Sequence, residues 1–396
     1  MKTLAVLALL FSSVFISSPS FAMNKNAGSM PSAEVRGVWV DKGDLYKGRE
    51  WMVSMLDKLS SAGFNTVCLP LFYKGYVSYP GSKYVPQDPK LTADPDIIPF
   101  LIQEIHKRGM TAQAWTEYGF GTHHTKDITE KTHGAILDAH PELTAIDANG
   151  LPYEHIKEWG YFYGMCPSNP KSHEILGNIF LEAMSKMPFD ALNLDRMRYA
   201  NTKFCFCPYC REHFAKDTGY ALPEKGLPDG TVLKAFMDWR KTQVSKFLAA
   251  LAPQVRKMRP NVKITAAVWY AGELDNMGQD WPLWLSNGFI DLAMPMIYWP
   301  GNDGVVQATL NLSGDPSKVA VGISSEDCNA KEVARQITFA RNAGAGGVMI
   351  WFLSPLEGQI AELSSTVFAP KEAVKPGQDS KARAAKVIKA LKPAVR

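Results

Sequence analysis

Eight short runs of apolar and β-branched residues recur along this chain, and nothing else in the sequence constrains its fold so strongly. They lie at 35–41, 65–72, 111–115, 191–195, 263–270, 292–298, 319–323 and 347–352. Between several of them the apolar spacing changes from continuous to helical, at 50–62, 96–108 and 330–343, and each of these stretches stops at a glycine (Gly63, Gly109, Gly344). Continuous apolar strands alternating with amphipathic helices predict a parallel sheet covered on its faces. Eight such units are the number that closes a (β/α)8 TIM barrel. The length of 396 residues would also accommodate two or three ordinary domains, and the strand count favours a single barrel. With 46% hydrophobic and 21% charged residues, the chain is too apolar to be disordered.

Two connections are longer than the rest: 117–171 after the third strand and 196–261 after the fourth. Both leave the C-terminal ends of strands, where barrels build their clefts, so both are expected to be cleft walls. The barrel domain is placed at 34–366. Ahead of it, Lys2, an apolar run over 4–16 and Ser20-Phe-Ala22 read as a signal peptide at 1–22, too short to span a bilayer permanently. The mature protein is therefore expected in the periplasm or secreted, without a transmembrane segment. Behind the barrel, 367–396 is an Ala-, Lys- and Pro-rich tail. Its part from Lys371 to Arg396 has eight Lys/Arg against Glu372 and Asp379, hence +6 of the net +4, which leaves −2 elsewhere. Such a tail suits a solvated extension or a short helix at 380–391; contact with an anionic envelope polymer is its minority reading. Its lack of interleaved aromatics argues against nucleic acid as a partner.

Functional residues of a barrel sit where strands stop. The strand ends here carry Asp41, Glu117, Asp195 with Arg196 and Arg198, Glu273, Tyr298, Glu326 and Trp351, with Trp115, Tyr118, Trp269 and Tyr270 close by. Carboxylates beside aromatic rings suit a carbohydrate cleft: rings stack on sugar C–H faces, and a glycosidic bond needs one proton donor and one base or nucleophile. Asp195, followed by two arginines that favour its ionised form, is the sharpest nucleophile or base candidate. Glu117, Glu273 and Glu326 compete as donor. Asp41, Trp115, Tyr118, Arg196, Arg198, Trp269, Tyr270, Tyr298 and Trp351 are the substrate-binding candidates, and the chemistry requires no cofactor.

Three segments carry a family resemblance: Glu34-Val-Arg-Gly-Val-Trp-Val-Asp41, Leu192-Asn-Leu-Asp-Arg-Met-Arg-Tyr199 and Asp291-Leu-Ala-Met-Pro-Met-Ile-Tyr298. Together they resemble the family-10-like glycosyl hydrolases of bacteria, distantly related to α-amylase barrels, over roughly 34–353. The resemblance implies a (β/α)8 glycosidase, with some relatives acting on cell-wall glycan strands. It implies Asp195 as nucleophile, Glu273 as acid and Glu326 or Asp327 as the third carboxylate. One position departs: Asn193 stands where the amylase pattern has an arginine.

Cys205-Phe-Cys207-Pro-Tyr-Cys210-Arg-Glu-His213 follows the fourth strand. Cys205, Cys207, Cys210 and His213 suit a closed structural zinc site, with Cys166 as another fourth ligand, while export and an even total of six cysteines suit disulfides equally. His123 and His124 read as an exposed loop, since a metal hydrolase on this fold would want its His-x-His pair at the first strand. The leading expectation is an exported hydrolase of a poly- or oligosaccharide; the alternative is a non-catalytic glycan-binding barrel, suggested by Asn193.

Overall fold

The computed structural model describes residues 34–368. The signal peptide and the basic tail expected from the sequence lie outside the described residues.

Eight parallel strands form one sheet: β1 (Val35–Trp39), β2 (Thr66–Pro70), β3 (Thr111–Thr116), β4 (Ala191–Leu194), β5 (Lys263–Val268), β6 (Leu292–Pro295), β7 (Ala320–Ser324) and β8 (Gly347–Trp351). Their order runs β6-β5-β4-β3-β2-β1-β8-β7. Isolated parallel bridges, Ala293 to Val319 and Met296 to Gly322, join β6 to β7 and bring the sheet round to a (β/α)8 barrel. The helices that follow the strands are α1 (Arg49–Ser61), α2 (Ile97–Lys107), α3 (Pro170–Lys186), α4 (Gly230–Met258), α5 (Trp281–Ser286), α6 (Asp303–Leu312), α7 (Ala330–Asn342) and α8 (Ile360–Thr366).

Strand alternation divides the core in two. One set of side chains, including Val38, Val67, Leu192 and Ile350, packs outward against the helices. The other set, including Trp39, Cys68, Trp115, Met294 and Met349, fills the barrel interior. The helices meet the outer set through one face each: α2 buries Ile97, Ile98, Leu101, Ile102 and Ile105, the spacing of a single stripe. At the start of α7 the Asn329 side chain accepts from the Glu332 amide at 3.0 Å, satisfying a helix-terminal N–H that has no partner within the helix.

All eight expected strands exist, and most ladders end earlier than their apolar runs. Residues 71–72, 269–270 and 296–298 continue the apolar pattern beyond β2, β5 and β6 because burial outlasts the ladder: Leu71, Phe72 and Ile297 stay fully buried in the core that faces the helices. The connection after β3 holds an antiparallel three-stranded sheet: Gly121–Thr125, Glu154–Ile156 and Gly160–Gly164. His123 and His124 belong to its first strand rather than to an exposed loop. They point apart, His123 toward Glu130 at 3.3 Å and His124 toward Lys74 at 2.9 Å. The wall after β4 also ends earlier than the expected 261, because residues 230–258 form the barrel's own fourth helix. What remains as wall is 196–229, including the helix Pro208–Thr218.

Candidate active site

The interior beneath the mouth is polar at its centre. Asn193, fully buried on β4, accepts from the Trp39 indole at 3.1 Å and donates to Thr265 at 2.7 Å; Thr265 in turn donates to Gln113 at 2.8 Å. The residue that replaces the amylase-pattern arginine thus ties β1, β4 and β5 together, and the guanidinium groups lie on the other side of the aspartate.

Asp195 ends β4 above this layer and is 7% exposed. Its Oδ2 accepts from the Trp115 indole at 3.1 Å and its Oδ1 from the Arg196 amide at 2.6 Å. Burial pushes its pKa up, while the Arg196 and Arg198 charges and these two hydrogen bonds pull it back toward the ionised form. Arg196 holds a left-handed backbone, φ 49°, with its guanidinium over the Tyr118 ring at 5.1 Å and the Phe162 ring at 5.3 Å.

Glu117 follows β3 directly. Its Oε2 is shielded from solvent and has no hydrogen-bond partner. Burial, reinforced by the nearby Asp41 and Asp195 charges and opposed by Arg196 and Lys42, pushes its pKa up to about 8. Asp195 and Glu117 therefore face each other's fields from adjacent strands, one carboxylate held by donors and the other without them.

The other two glutamates are placed differently. Glu273 accepts from the Asn276 side chain at 2.7 Å and starts the short helix Leu274–Met277. Glu326 is exposed on the turn after β7, where Ser324 Oγ receives its backbone amide at 3.2 Å; Asp327 beside it takes the Ser324 hydroxyl at 2.8 Å. Among the described residues, no hydrogen bond or ion pair joins either glutamate to Asp195.

The expected binding residues form two groups. Trp115 (1% exposed) and Tyr118 (4%) are too buried to be stacking platforms; Trp115 supports Asp195, and Tyr118 packs edge-on against Tyr73 at 4.8 Å. Asp41 caps a helical turn by accepting from the Gly43 amide at 2.7 Å and acts on Glu117 through its charge. The part-exposed rings surround the opening: Tyr298 stacks on Trp351 at 6.2 Å, and Tyr270 meets Trp299 at 5.0 Å. Trp269 lies 5.6 Å beneath the Arg198 guanidinium. A cleft continues from Arg196 and Arg198 along Tyr118, Glu154 and Phe162 into the β3 wall. Arg198 Nε is shielded there without a partner, and burial pushes the guanidinium pKa down to about 10.

Sequence reasoning passed over Lys42, whose position beside Asp41 looks like an ordinary charged surface. It is 2% exposed, 3.0 Å from Asp88 and 2.9 Å from Ser78, and its charge opposes the proton on Glu117. Nothing local marks it.

The four sulfurs do cluster, and of the two candidates for the fourth place it is Cys166, not His213, that joins them. The sulfurs of Cys166, Cys205, Cys207 and Cys210 all lie within 4.8 Å of one another and all four residues are buried. His213 is not among them: its ring stacks on Tyr209 at 3.8 Å and its Nδ1 faces the Tyr209 carbonyl at 3.0 Å, one turn back on the same helix. Hydrogen bonds from Cys166, Cys205 and Cys210 hold the Cys207 sulfur far below the usual thiol range.

Comparison with known proteins agrees with this architecture. Residues 34–323 match the family described as Glycosyl hydrolase-like 10. Glycosyl hydrolase DigH of Escherichia coli K12 is 23% identical over 354 residues, covering 75% of this chain and 74% of that protein. Glycosyl hydrolase YngK of Bacillus subtilis 168 is 25% identical over 311 residues, 69% of this chain and 56% of that one. Among solved structures, the glycoside hydrolase domain of PgaB (BpsB) from Bordetella bronchiseptica superposes with a TM-score of 0.64 at 14% identity, over 85% of this chain and all of that domain.

Proposed function

The chain belongs to the glycosyl hydrolase-like 10 family, and from that premise we propose that it is an exported glycoside hydrolase cleaving O-glycosidic bonds in a poly- or oligosaccharide of the cell envelope. The observation that carries the reading is the pair Glu117 and Asp195: two shielded carboxyl groups on adjacent strand ends, one with no donor for its Oε2 and the other held by the Trp115 indole and the Arg196 amide. At neutral pH Glu117 retains its proton and donates it to the departing glycosidic oxygen. Asp195, held by the Trp115 indole and the Arg196 amide, presents negative charge to the oxocarbenium-like centre that forms as the bond breaks. Arg198 and the rings of Trp269, Tyr270, Tyr298 and Trp351 supply hydrogen bonds and flat apolar faces for the sugar units. The names of the two bacterial relatives support the same activity class. The leader expected at 1–22 supports export. The placement of Asn193 in the barrel interior weakens the non-catalytic alternative, since Arg196 and Arg198 provide positive charge beside Asp195 from the following residues.

The test is turnover of cell-wall glycan strands and polysaccharides by the wild type and by Asp195→Asn. The variant is expected to lose at least about 1,000-fold in kcat/KM while its Tm stays within a few degrees, because the amide keeps one acceptor for Trp115. Binding without turnover by the wild type across the panel would favour the glycan-binding reading. Full activity in the variant would remove Asp195 from the chemistry.

A further inference from the structure

Four buried sulfurs from two separate connections converge on one point beside the cleft. Cys166 comes from the wall after β3, just ahead of α3; Cys205, Cys207 and Cys210 come from the wall after β4. A tetrahedral zinc tetrathiolate, with Zn–S about 2.3 Å, sets its sulfurs about 3.8 Å apart in every pairing. The cluster meets that requirement: every sulfur is within 4.8 Å of every other, and Cys166 and Cys210 are 3.3 Å apart. Two disulfides ask for less, since each needs only its own pair in contact. Cys207 also occupies the N-cap of the helix Pro208–Thr218, with Cys210 in its first turn, so two of the four sulfurs sit at the positive end of a helix.

We infer that Cys166, Cys205, Cys207 and Cys210 bind one Zn2+ in a closed structural site that fastens the β3 wall of the cleft to the β4 wall. A second, independent feature fits this site. Zn2+ with four thiolates carries a net charge of −2 and requires positive charge nearby. Arg240 on α4 is fully buried, yet among the described residues no carboxylate lies within ion-pair range of it. Its guanidinium donates to the carbonyls of Asn201, Asp275 and Asn276 and lies 4.4 Å over the Tyr199 ring. The Tyr199 hydroxyl is 2.7 Å from Ser168 Oγ, which is 3.3 Å from the Cys210 sulfur. Arg211, part-exposed in the cluster's own helix, donates to the backbone carbonyls of Phe206, Leu222, Pro223 and Glu224 and lies over the Phe206 ring at 5.5 Å. The buried Arg240 guanidinium, without a carboxylate in ion-pair range among the described residues and within the field of Cys205 and Cys210, supplies positive charge that a tetrathiolate would balance and neutral disulfides would leave open. All four coordination positions are filled by sulfur, so the ion binds no substrate and its role is to hold Tyr199, and with it the segment that starts at Asp195, against the β3 wall.

The inference is independent of the proposed activity, and its test reads metal and thiols rather than turnover. The full chain, expressed with its leader and purified without chelator, is analysed for bound metal and for thiols titrated after denaturation in the presence of chelator. About one zinc per chain and all six cysteines titrating as thiols is the expected result. Metal-free protein, whether its four cluster cysteines are oxidised to disulfides or free, overturns the inference. Replacement of zinc by Co2+ should give the intense visible bands of tetrahedral cobalt bound by four thiolates; a spectrum with nitrogen or oxygen ligands overturns it. Cys166→Ser should lose stoichiometric zinc while His213→Ala retains it, and the reverse pattern overturns the ligand set. Should Cys166→Ser fail to fold, the cobalt spectrum of the wild type still decides the number of sulfur ligands.

Discussion

Glu117 shows how one side chain's chemistry follows from what its neighbours withhold. It has no donor for Oε2, and two other carboxylates, Asp41 and Asp195, act on it. In the folded protein it keeps its proton until about pH 8, whereas a free glutamate releases it near 4.5. Between these values the folded state binds the extra proton, so this group's contribution to stability is full below pH 4.5 and declines as pH rises toward 8. Two outcomes are expected. The kcat/KM of the wild type falls as pH rises through about 8, and Glu117→Gln loses at least about 100-fold activity across the range. The same variant, which has no proton to lose, is more stable than the wild type at pH 8, by roughly 2–4 kcal/mol, a margin that shrinks to nothing by pH 4.5. Calorimetric scans of both proteins across that window check the sign, and a margin that grows toward acid pH would refute the assignment. The sequence presented Glu117, Glu273 and Glu326 as equals, since each follows an apolar run. Only packing distinguishes them, leaving Glu326 in solvent and giving Glu273 to Asn276.

At the level of elements, the site depends on how closely two turns approach. After β3 the chain turns at Gly119, φ 44°, where an added Cβ would lie 2.2 Å from the Asp195 carbonyl oxygen and 2.9 Å from the Arg196 carbonyl carbon. These are backbone atoms and cannot swing aside. Gly119→Ala is therefore expected to separate the β3 and β4 turns, lowering stability by about 2–4 kcal/mol and kcat/KM by about 100-fold. Urea denaturation and initial rates on one preparation measure both, and a variant with near-wild-type rates would show that the two turns need not touch. The elements themselves were legible: eight strands and the helices at 49–61, 97–107 and 330–342 follow from apolar spacing, a local property. The antiparallel sheet over 121–164 was not, because its strands are short and mostly part-exposed, with no alternating apolar pattern to betray them.

For the molecule as a whole, closure is the feature on which everything else rests. β1 pairs with β8 in parallel register, Val35 opposite Gly347, 312 residues apart in the chain (347 − 35), and this seam joins the first strand to the last. A Cβ at Gly347 would lie 2.2 Å from the Val35 carbonyl oxygen. Gly347→Ala is expected to open the seam and cost about 3 kcal/mol or more, seen as a lower urea midpoint. A midpoint equal to that of the wild type would mean that the seam yields without loss. The sequence by itself determined the strand count, the barrel, and which residues stand at the strand ends, because apolar periodicity is written into consecutive residues. It also singled out Asp195 and the Cys205, Cys207, Cys210 run from their immediate neighbours, with His213 and Cys166 both open as the fourth member. What only the tertiary structure decided was which residues meet across separate loops: Glu117 within the fields of Asp195 and Lys42, and Cys166, 44 residues before Cys210, rather than His213 beside the other sulfurs. Those pairings arise when the barrel closes and brings distant strand ends to one rim, and no local pattern records them.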